Sequence, residues 1–405
     1  MGIVIIIGGG AAGMAAAIAA AECGDRVTVL ERMDRVGKKI LATGNGRCNL
    51  MNVGELRFPG GASLAHAVLE KCGAAEQTRF WYHLGLRMRQ EDGGRVYPIS
   101  GMASSVLDTL RLSMEALGIE VITGVHVTGL FKARHGWTVM AGDKKWKADR
   151  VIVAGGGCAQ PKLGSDGSTW PLLISQGHRM IEARPSLSQI VTDTALIKGL
   201  SGIRVRTQVR ITRGGIEKYC EAGELLFADY GVTGVCVMQC ARYASAGDML
   251  HIDLVRAMGF DTRAELFAEL LHRRNNWRQR SLNELLTGLC VPKLGQAIFK
   301  AAGIANAIHA TCGDLTQKML NTLAEAAADF ALEIRGVKGF ESAQVTVGGV
   351  SVQEFDTETL ESKLAPGIHA AGEVLDVDGD CGGFNLMFAF GSGILAGLNG
   401  RACPW

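Results

Sequence analysis

Apolar and polar positions follow different rhythms along this chain. Ile3-Val-Ile-Ile-Ile7 is an unbroken β-branched run, the pattern of a strand buried on both faces. Met14 to Glu22 is mostly alanine and predicts a helix, stopped at Gly24. Val27-Thr-Val-Leu30 reads as the next strand. Two later runs repeat the buried-strand pattern and end in small residues: Asp149-Arg-Val-Ile-Val-Ala154 and Gly367-Ile-His-Ala-Ala371. In the middle the rhythm changes. Ile203 to Ile211 alternates strictly, which predicts a strand with one wet face. Glu221-Ala-Gly-Glu224 reads as a hairpin-like turn. Thr262-x-x-Glu265 and Ser281-x-x-Glu284 fit capping boxes. From Leu315 to Ile334, apolar residues at Leu320, Leu323, Ala327, Phe330 and Ile334 predict one helix, with Gly336 placed to end it. Phe384 to Leu398 predicts a last, glycine-rich helix.

The order of these elements is that of an α/β Rossmann-type domain interrupted by an insertion. The expected parts are 1–187, an insertion over 188–344 (β over 188–255, helical over 256–344), and a return over 345–405. A chain of 405 residues has room for this. The 42 Lys+Arg against 40 Asp+Glu argue against a dedicated nucleic-acid binder. The 54 glycines with only 8 prolines point to tight turns and to backbone that approaches a ligand closely. No apolar run is long enough to span a membrane, and no basic segment precedes the first strand, so a cytoplasmic protein is expected. The 11 cysteines include no C-x-x-C pair and no zinc-type grouping, so no metal is expected. Cys236 and Cys240 have the spacing of one helix face.

Candidate chemistry begins after the first strand. Gly8-Gly-Gly10-Ala11-Ala12-Gly13 fits G-x-G-x-x-G between a strand and a helix, and Glu31 closes the second strand 18 residues after Gly13. Gly8 permits the turn, Gly10 lets backbone N–H groups reach a diphosphate, and Gly13 lets helix and strand pack. Glu31 is placed to accept both hydroxyls of an adenosine ribose. Ala154-Gly155-Gly156 and Ala371-Gly372-Glu373 repeat a device that two-dinucleotide-fold flavoproteins use to pass backbone close to FAD. One tightly held FAD is therefore expected.

The chain resembles the BaiN-like family of NAD(P)/FAD-dependent oxidoreductases. The resemblance rests on Gly37-Lys-Lys-Ile-Leu-Ala-Thr-Gly-Asn-Gly-Arg-Cys-Asn49, Gly94-Arg-Val-Tyr-Pro98, Pro161-Lys-Leu-Gly-Ser-Asp-Gly167, Gly223 to Gly234, and Ala371 to Asn385. It implies a small β-barrel plus helices in the insertion, closing over the flavin. It also implies that the loop with Lys38, Lys39, Gly44, Asn45, Gly46, Arg47 and Cys48 runs beneath FAD, its cations facing phosphates or an anionic reduced flavin. Gly383, Phe384, Asn385 and Leu386 would set a helix N-terminus against the flavin pyrimidine. Glu373, Asp376 and Asp378 form an acidic stretch placed to hydrogen-bond the ribityl chain or to serve as a proton relay, and Arg32 and Val127 are further expected FAD contacts. The chain departs from the family at Leu50-Met51-Asn52 and at Ala228-Asp229, where relatives carry Thr-Asn and Thr-His.

Tyr97 and Tyr230 are the candidates for polarising a substrate carbonyl or donating a proton, with Arg47 beside the flavin. The basic stretch His272 to Arg280 reads as a solvated helix end, or as a patch for an acidic tail. The resemblance implies a reductase that carries hydride from NAD(P)H through FAD to an activated C=C, with a 3-oxo-Δ4,6 bile-acid-type steroid as substrate. Its expected partner is a small steroid acid or conjugate, with no nucleic acid or membrane. Two alternatives stand beside it: an RNA-modifying, transferase or binding flavoprotein, for which Cys48 is a possible carbon acceptor, and an O₂-using oxidase.

Overall fold

The computed structural model describes residues 1–304 and 310–405. The chain forms two compact units, Met1–Pro185 with Phe340–Trp405, and Ser186–Gly339. Among the described residues, no helix is long and apolar enough to cross a membrane.

The first unit is built on a parallel five-stranded sheet. Its order is Ile368–Ala370, Arg150–Val153, Ile3–Ile7, Arg26–Leu30, Glu120–Ile122. Ile5 lies between Val151 and Thr28 in register. Val4 to Ile7 and Val151 to Val153 are all buried, as an unbroken apolar run requires. Helix Ala11–Glu22 packs along helix Phe384–Leu398 through small residues. A Cβ at Gly393 would come within 2.3 Å of the Ala12 carbonyl oxygen, and one at Gly397 within 2.5 Å of that of Ala16. The alanines of one helix and the glycines of the other are thus two sides of one close contact.

The second unit holds a closed barrel of six antiparallel strands. Their order is Ile190–Thr192, Gly231–Thr233, Ile216–Ala228, Arg204–Arg213, Met249–Ile252, Phe330–Val337, and the last pairs with the first. Thr207, Val209 and Ile211 point inward while Arg204, Arg206 and Gln208 are exposed, the alternation that the sequence shows. Cys236 and Cys240 are both buried on helix Val235–Cys240. Helix Arg263–Asn276 starts at the expected cap, where the Thr262 hydroxyl accepts from the Glu265 amide at 3.2 Å.

Three expectations need correction. The single helix over Leu315 to Ile334 is a helix Gln317–Ala328 followed by the closing barrel strand Phe330–Val337. Phe330 and Ile334 fit both a helical and a two-residue period, and the open barrel edge decides for the strand. Glu221 to Glu224 lies mid-strand; the hairpin turns at Gly214–Gly215, where both residues have positive φ. Ser281 makes no side-chain cap, and only a short 3₁₀ turn, Leu282–Glu284, follows it.

Candidate functional site

In the first unit the strand Ile3–Ile7 ends against backbone. Gly8 has φ +105°, and a Cβ there would lie 2.5 Å from the Ala154 carbonyl oxygen. A Cβ at Gly13 would overlap the Gly8 carbonyl, whereas one at Gly10 would meet nothing within 4 Å. The helix that follows begins at Ala11 and has no side-chain cap at Gly10. Its first amides therefore face an open space beside Gly10 and Ala11, which suits a diphosphate.

Glu31 stands where the second strand leaves the sheet. Its two carboxylate oxygens accept from the Gly9 and Met33 amides, each at 2.7 Å. These bonds fix the side chain and leave lone pairs for further donors. The Val125 amide donates to the Glu31 carbonyl, so the segment that carries buried Val127 runs beside it. Arg32 turns toward the 161–167 loop and pairs with Asp166 at 2.9 Å.

The Gly37-to-Asn49 segment is more regular than a loop. Lys38–Ala42 is a short helix, then Thr43–Gly46 a 3₁₀ turn with Gly44 and Asn45 at positive φ. Each of its three cations already has a carboxylate partner. Lys38 pairs with Asp34 at 2.5 Å, Lys39 with Glu373 at 2.7 Å, and Arg47 with Glu91 at 2.6 Å. The other Glu373 oxygen accepts from the Thr346 amide at 2.6 Å. The Thr346 hydroxyl in turn accepts from the Cys158 and Ala159 amides. One network thus joins Lys39, the turn after Gly155–Gly156, and the Gly372–Glu373 turn.

Arg47 lies over the Tyr97 ring, 4.1 Å from its centroid, so the structure brings these two candidates together. Hydrogen bonding to Arg47 and then Arg89 holds the Glu91 carboxyl below its ordinary range. Cys48 is fully buried, and burial pushes its thiol up to about 12, so it stays a protonated thiol near neutral pH. Asn52 donates to the Gly382 carbonyl at 2.9 Å and to that of Gly93 at 3.1 Å. This ties the Cys48–Asn52 stretch to the start of the last helix.

That helix begins after Gly383, at φ +105°, where a Cβ would lie 2.7 Å from Met51. Gly383 offers no side-chain cap. Asn385 both donates to and accepts from Gly379, which closes the preceding turn. Phe384 is buried edge-on against Phe58, and Leu386 is half-buried. Gly372 donates to Ser392, and the Asp376 amide to Val350.

Sequence reasoning assigned no role to five polar residues here. Thr346 and Asn52 are the ties described above. Ser165 Oγ, Thr169 Oγ1 and Asn49 Oδ1 are buried atoms with no hydrogen-bond partner among the described residues. Ser165 and Thr169 lie against Gly156 and Gly155, and Asn49 against Gly383. The readable signal was a polar residue within an apolar or glycine-rich run, as at Thr346. Together the orphaned buried oxygens, the open Gly10 cradle and the anchored Glu31 fit a dinucleotide such as FAD.

Tyr230 belongs to the other unit. It sits in the turn between strands Ile216–Ala228 and Gly231–Thr233, with Lys338 Nζ 3.6 Å from its ring centroid. Burial raises its phenol pKa and keeps it a donor. The basic stretch is partly internal structure: Trp277 lies between Arg273 and Arg280, and Arg273 donates to the Leu285 and Thr287 carbonyls.

The model of the HI0933-like protein Rossmann domain matches residues 3–399. A 3-dehydro-bile acid delta(4,6)-reductase of Clostridium scindens is 36% identical over 402 residues, covering 97% of each chain. A ribosomal RNA dihydrouridine synthase of Escherichia coli is 26% identical, over 96% of this chain and 95% of that one. Among solved structures, a 3-ketosteroid-delta4-(5alpha)-dehydrogenase from Rhodococcus jostii aligns with a TM-score of 0.50 at 17% identity, over 99% of this chain and 97% of that one, a likeness of fold.

Proposed function

The chain belongs to the HI0933-like Rossmann-domain family, and on that footing we propose that it is an FAD-dependent oxidoreductase of carbonyl-conjugated C=C bonds. The proposed hydride donor is NAD(P)H and the substrate a 3-oxo-Δ4,6 bile-acid-type steroid. The observation that carries this reading is the 36% identity to the Clostridium scindens reductase across 97% of both chains. Bound FAD would supply a two-electron centre that takes hydride from the nicotinamide and gives it to the far end of the conjugated system.

The chain's own residues have these roles. The Gly10, Ala11 and Ala12 amides hold the diphosphate at the helix start. Glu31, fixed by Gly9 and Met33, takes the ribose hydroxyls, with Arg32 and Val127 beside the adenosine. Gly8, Gly13, Ala154, Gly155, Gly156 and Gly372 let backbone come close. Glu373, anchored by Thr346 and Lys39, offers its remaining lone pairs to the ribityl hydroxyls. The uncapped helix start at Gly383–Asn385 stabilises negative charge on the pyrimidine. Arg47, stacked on Tyr97, adds positive charge, and the Tyr97 or Tyr230 phenol donates to the substrate carbonyl.

The test is anaerobic and optical. The yellow protein should bleach with NADH or NADPH, and a 3-oxo-Δ4,6 steroid acid should restore its colour as the reduced product forms. Bleaching without recovery on the steroid rejects the steroid. No bleaching with either nicotinamide rejects the donor. Fast recovery in air alone points to an oxidase.

A second reading is reduction of a uracil ring in RNA. The relatives named ribosomal RNA dihydrouridine synthase, at 26% and 25% identity, favour it. Uracil's C5=C6 bond is also conjugated to a carbonyl, so the same apparatus would serve. Recovery of colour on ribosomal RNA instead of the steroid selects it.

A further inference from the structure

A cleft of about 340 Å³ opens beside the short helix Lys38–Ala42, lined by Arg35, Lys38, Leu41, Ala42, Lys162 and Leu163. Of its lining residues only Lys38 is among those expected to face FAD. Lys38, Leu41 and Ala42 stand at i, i+3 and i+4 and share one helix face. Lys39 leaves another face to reach Glu373. The floor is apolar, with Leu41 and Leu163 half-buried.

The rim is cationic. Arg35 is exposed and has no acidic partner within ion-pair distance among the described residues. Lys162 is 86% exposed and only loosely paired, 3.6 Å from Glu341. Lys38 is paired with Asp34, which is itself 76% exposed. Exposed pairs of this kind are weak, so both lysines can be drawn off by a stronger anion.

We infer that this cleft takes the 2′-phosphorylated adenosine end of NADPH, and that the protein selects NADPH over NADH. This rests on the hydride-donor part of the proposed function. Three cations converging on one rim suit a phosphate dianion. The planar Arg35 guanidinium matches phosphate oxygens two at a time. The leucine-lined floor suits the flat purine. Ala42 leads directly into the Thr43–Gly46 turn proposed to lie at the flavin, no more than about 15 Å of chain away. That is a span a dinucleotide covers. A lone substrate carboxylate would need one such cation and would leave the purine-sized floor unused.

The test uses the FAD-loaded protein and two probes, adenosine 2′,5′-bisphosphate and ADP, titrated calorimetrically. The bisphosphate should bind about tenfold or more tighter, the effect of one or two charge-assisted hydrogen bonds. Arg35→Ala with Lys162→Ala should abolish that preference and raise the NADPH KM about tenfold. The NADH KM and bound FAD should not change. Asp34→Asn, which releases Lys38, should tighten the bisphosphate, an effect that mere surface loss cannot mimic. Equal binding of the two probes, or a preference that survives the double variant, overturns the inference. So does a double variant whose KM rises only for the steroid acid, which would assign the cleft to the substrate. Probe binding needs no hydride transfer, so a protein that prefers the bisphosphate but does not reduce the steroid sinks the substrate reading and leaves the cleft assignment standing.

Discussion

At the scale of single residues, the site is a set of side chains whose polar atoms are mostly committed to the chain itself. Lys39, Arg47 and Glu31 each carry charge toward the cradle, yet each is held by a partner: Glu373, Glu91, and the Gly9 and Met33 amides. Such preorganisation costs nothing at the moment of reaction. Tyr97 differs, because Arg47 lies over its ring and its phenol is one of the two proposed proton donors. Tyr97→Phe keeps the stack and removes the donor. It should lower kcat for the steroid by about 10²–10⁴ with flavin reduction by nicotinamide unchanged. Stopped-flow measurement of the two half-reactions checks this, and an unchanged oxidative half-reaction moves the role to Tyr230. Not every suggestive constellation is a site. His178 lies 2.9 Å from Glu354 and 2.8 Å from Ser362 Oγ, the order of a hydrolytic triad. Ser362 is 2% exposed and accepts from the Leu364 and Ala365 amides, so this chain is a clamp between segments. The residues of the fingerprint were legible because spacing alone defines them. Thr346 and Asn49 were not, because what they lie against is far off in the sequence: Thr346 meets Cys158, 188 residues away, and Asn49 lies against Gly383.

At the scale of elements, two helices and the strands beneath them decide whether the cradle exists. Gly393 admits the Ala12 backbone, at the very start of the helix proposed to hold the diphosphate. Gly393→Ala should destabilise by about 1–3 kcal/mol, as overpacking does. It should also weaken FAD retention out of proportion, because the helix start must move. Thermal melts with and without added FAD separate the two effects. The C-terminal end of the last helix is held by charge. Asp25 accepts from Arg150 at 2.8 Å and Arg401 at 2.6 Å, and these arginines also donate to the carbonyls of Ala396, Gly397 and Leu398. Burial alone would raise the Asp25 pKa, but the bonds from Arg401, Gly2 and Arg150 outweigh it and bring it to about 2. The folded value lies below the ordinary 3.8, so the carboxylate contributes stability above about pH 4 that is lost as pH falls toward 2. Asp25→Asn should cost about 2 kcal/mol at pH 7, and the difference from the native protein should shrink across that acid window in urea titrations. The elements themselves were readable wherever one period dominated, as in Ile3–Ile7 and Phe384–Leu398. Reading failed at Phe330–Val337, where barrel closure, a long-range condition, chose between two periods that the residues satisfied equally.

At the scale of the whole molecule, the chain leaves its first unit near Pro185 and returns at Phe340. The strands on either side of that excursion, Met180–Ser186 and Val345–Val350, hydrogen-bond to each other. The two units also have separate cores, one around Ile5, Ala16 and Phe390, the other around Val209, Phe227 and Leu320. Neighbouring strands sit about 4.8 Å apart, so the cut ends of the first unit need little chain to join. All the residues proposed to hold FAD lie in that unit, while Tyr230 lies in the other. Replacing residues 186–339 by a short Gly/Ser linker should therefore leave a folded protein that retains yellow flavin. Its flavin should still bleach with nicotinamide, since the proposed donor cleft at Arg35 and Lys162 is also retained. Steroid reduction should fall, because Tyr230, one of the two proposed proton donors, is removed with the inserted residues. Absorbance of the purified protein and a single-turnover assay read the two properties apart. A linker protein that folds by circular dichroism but holds no flavin would show that the cofactor site draws on the inserted unit. One that still reduces the steroid would confine the whole reaction to the Rossmann unit and free the barrel for another role.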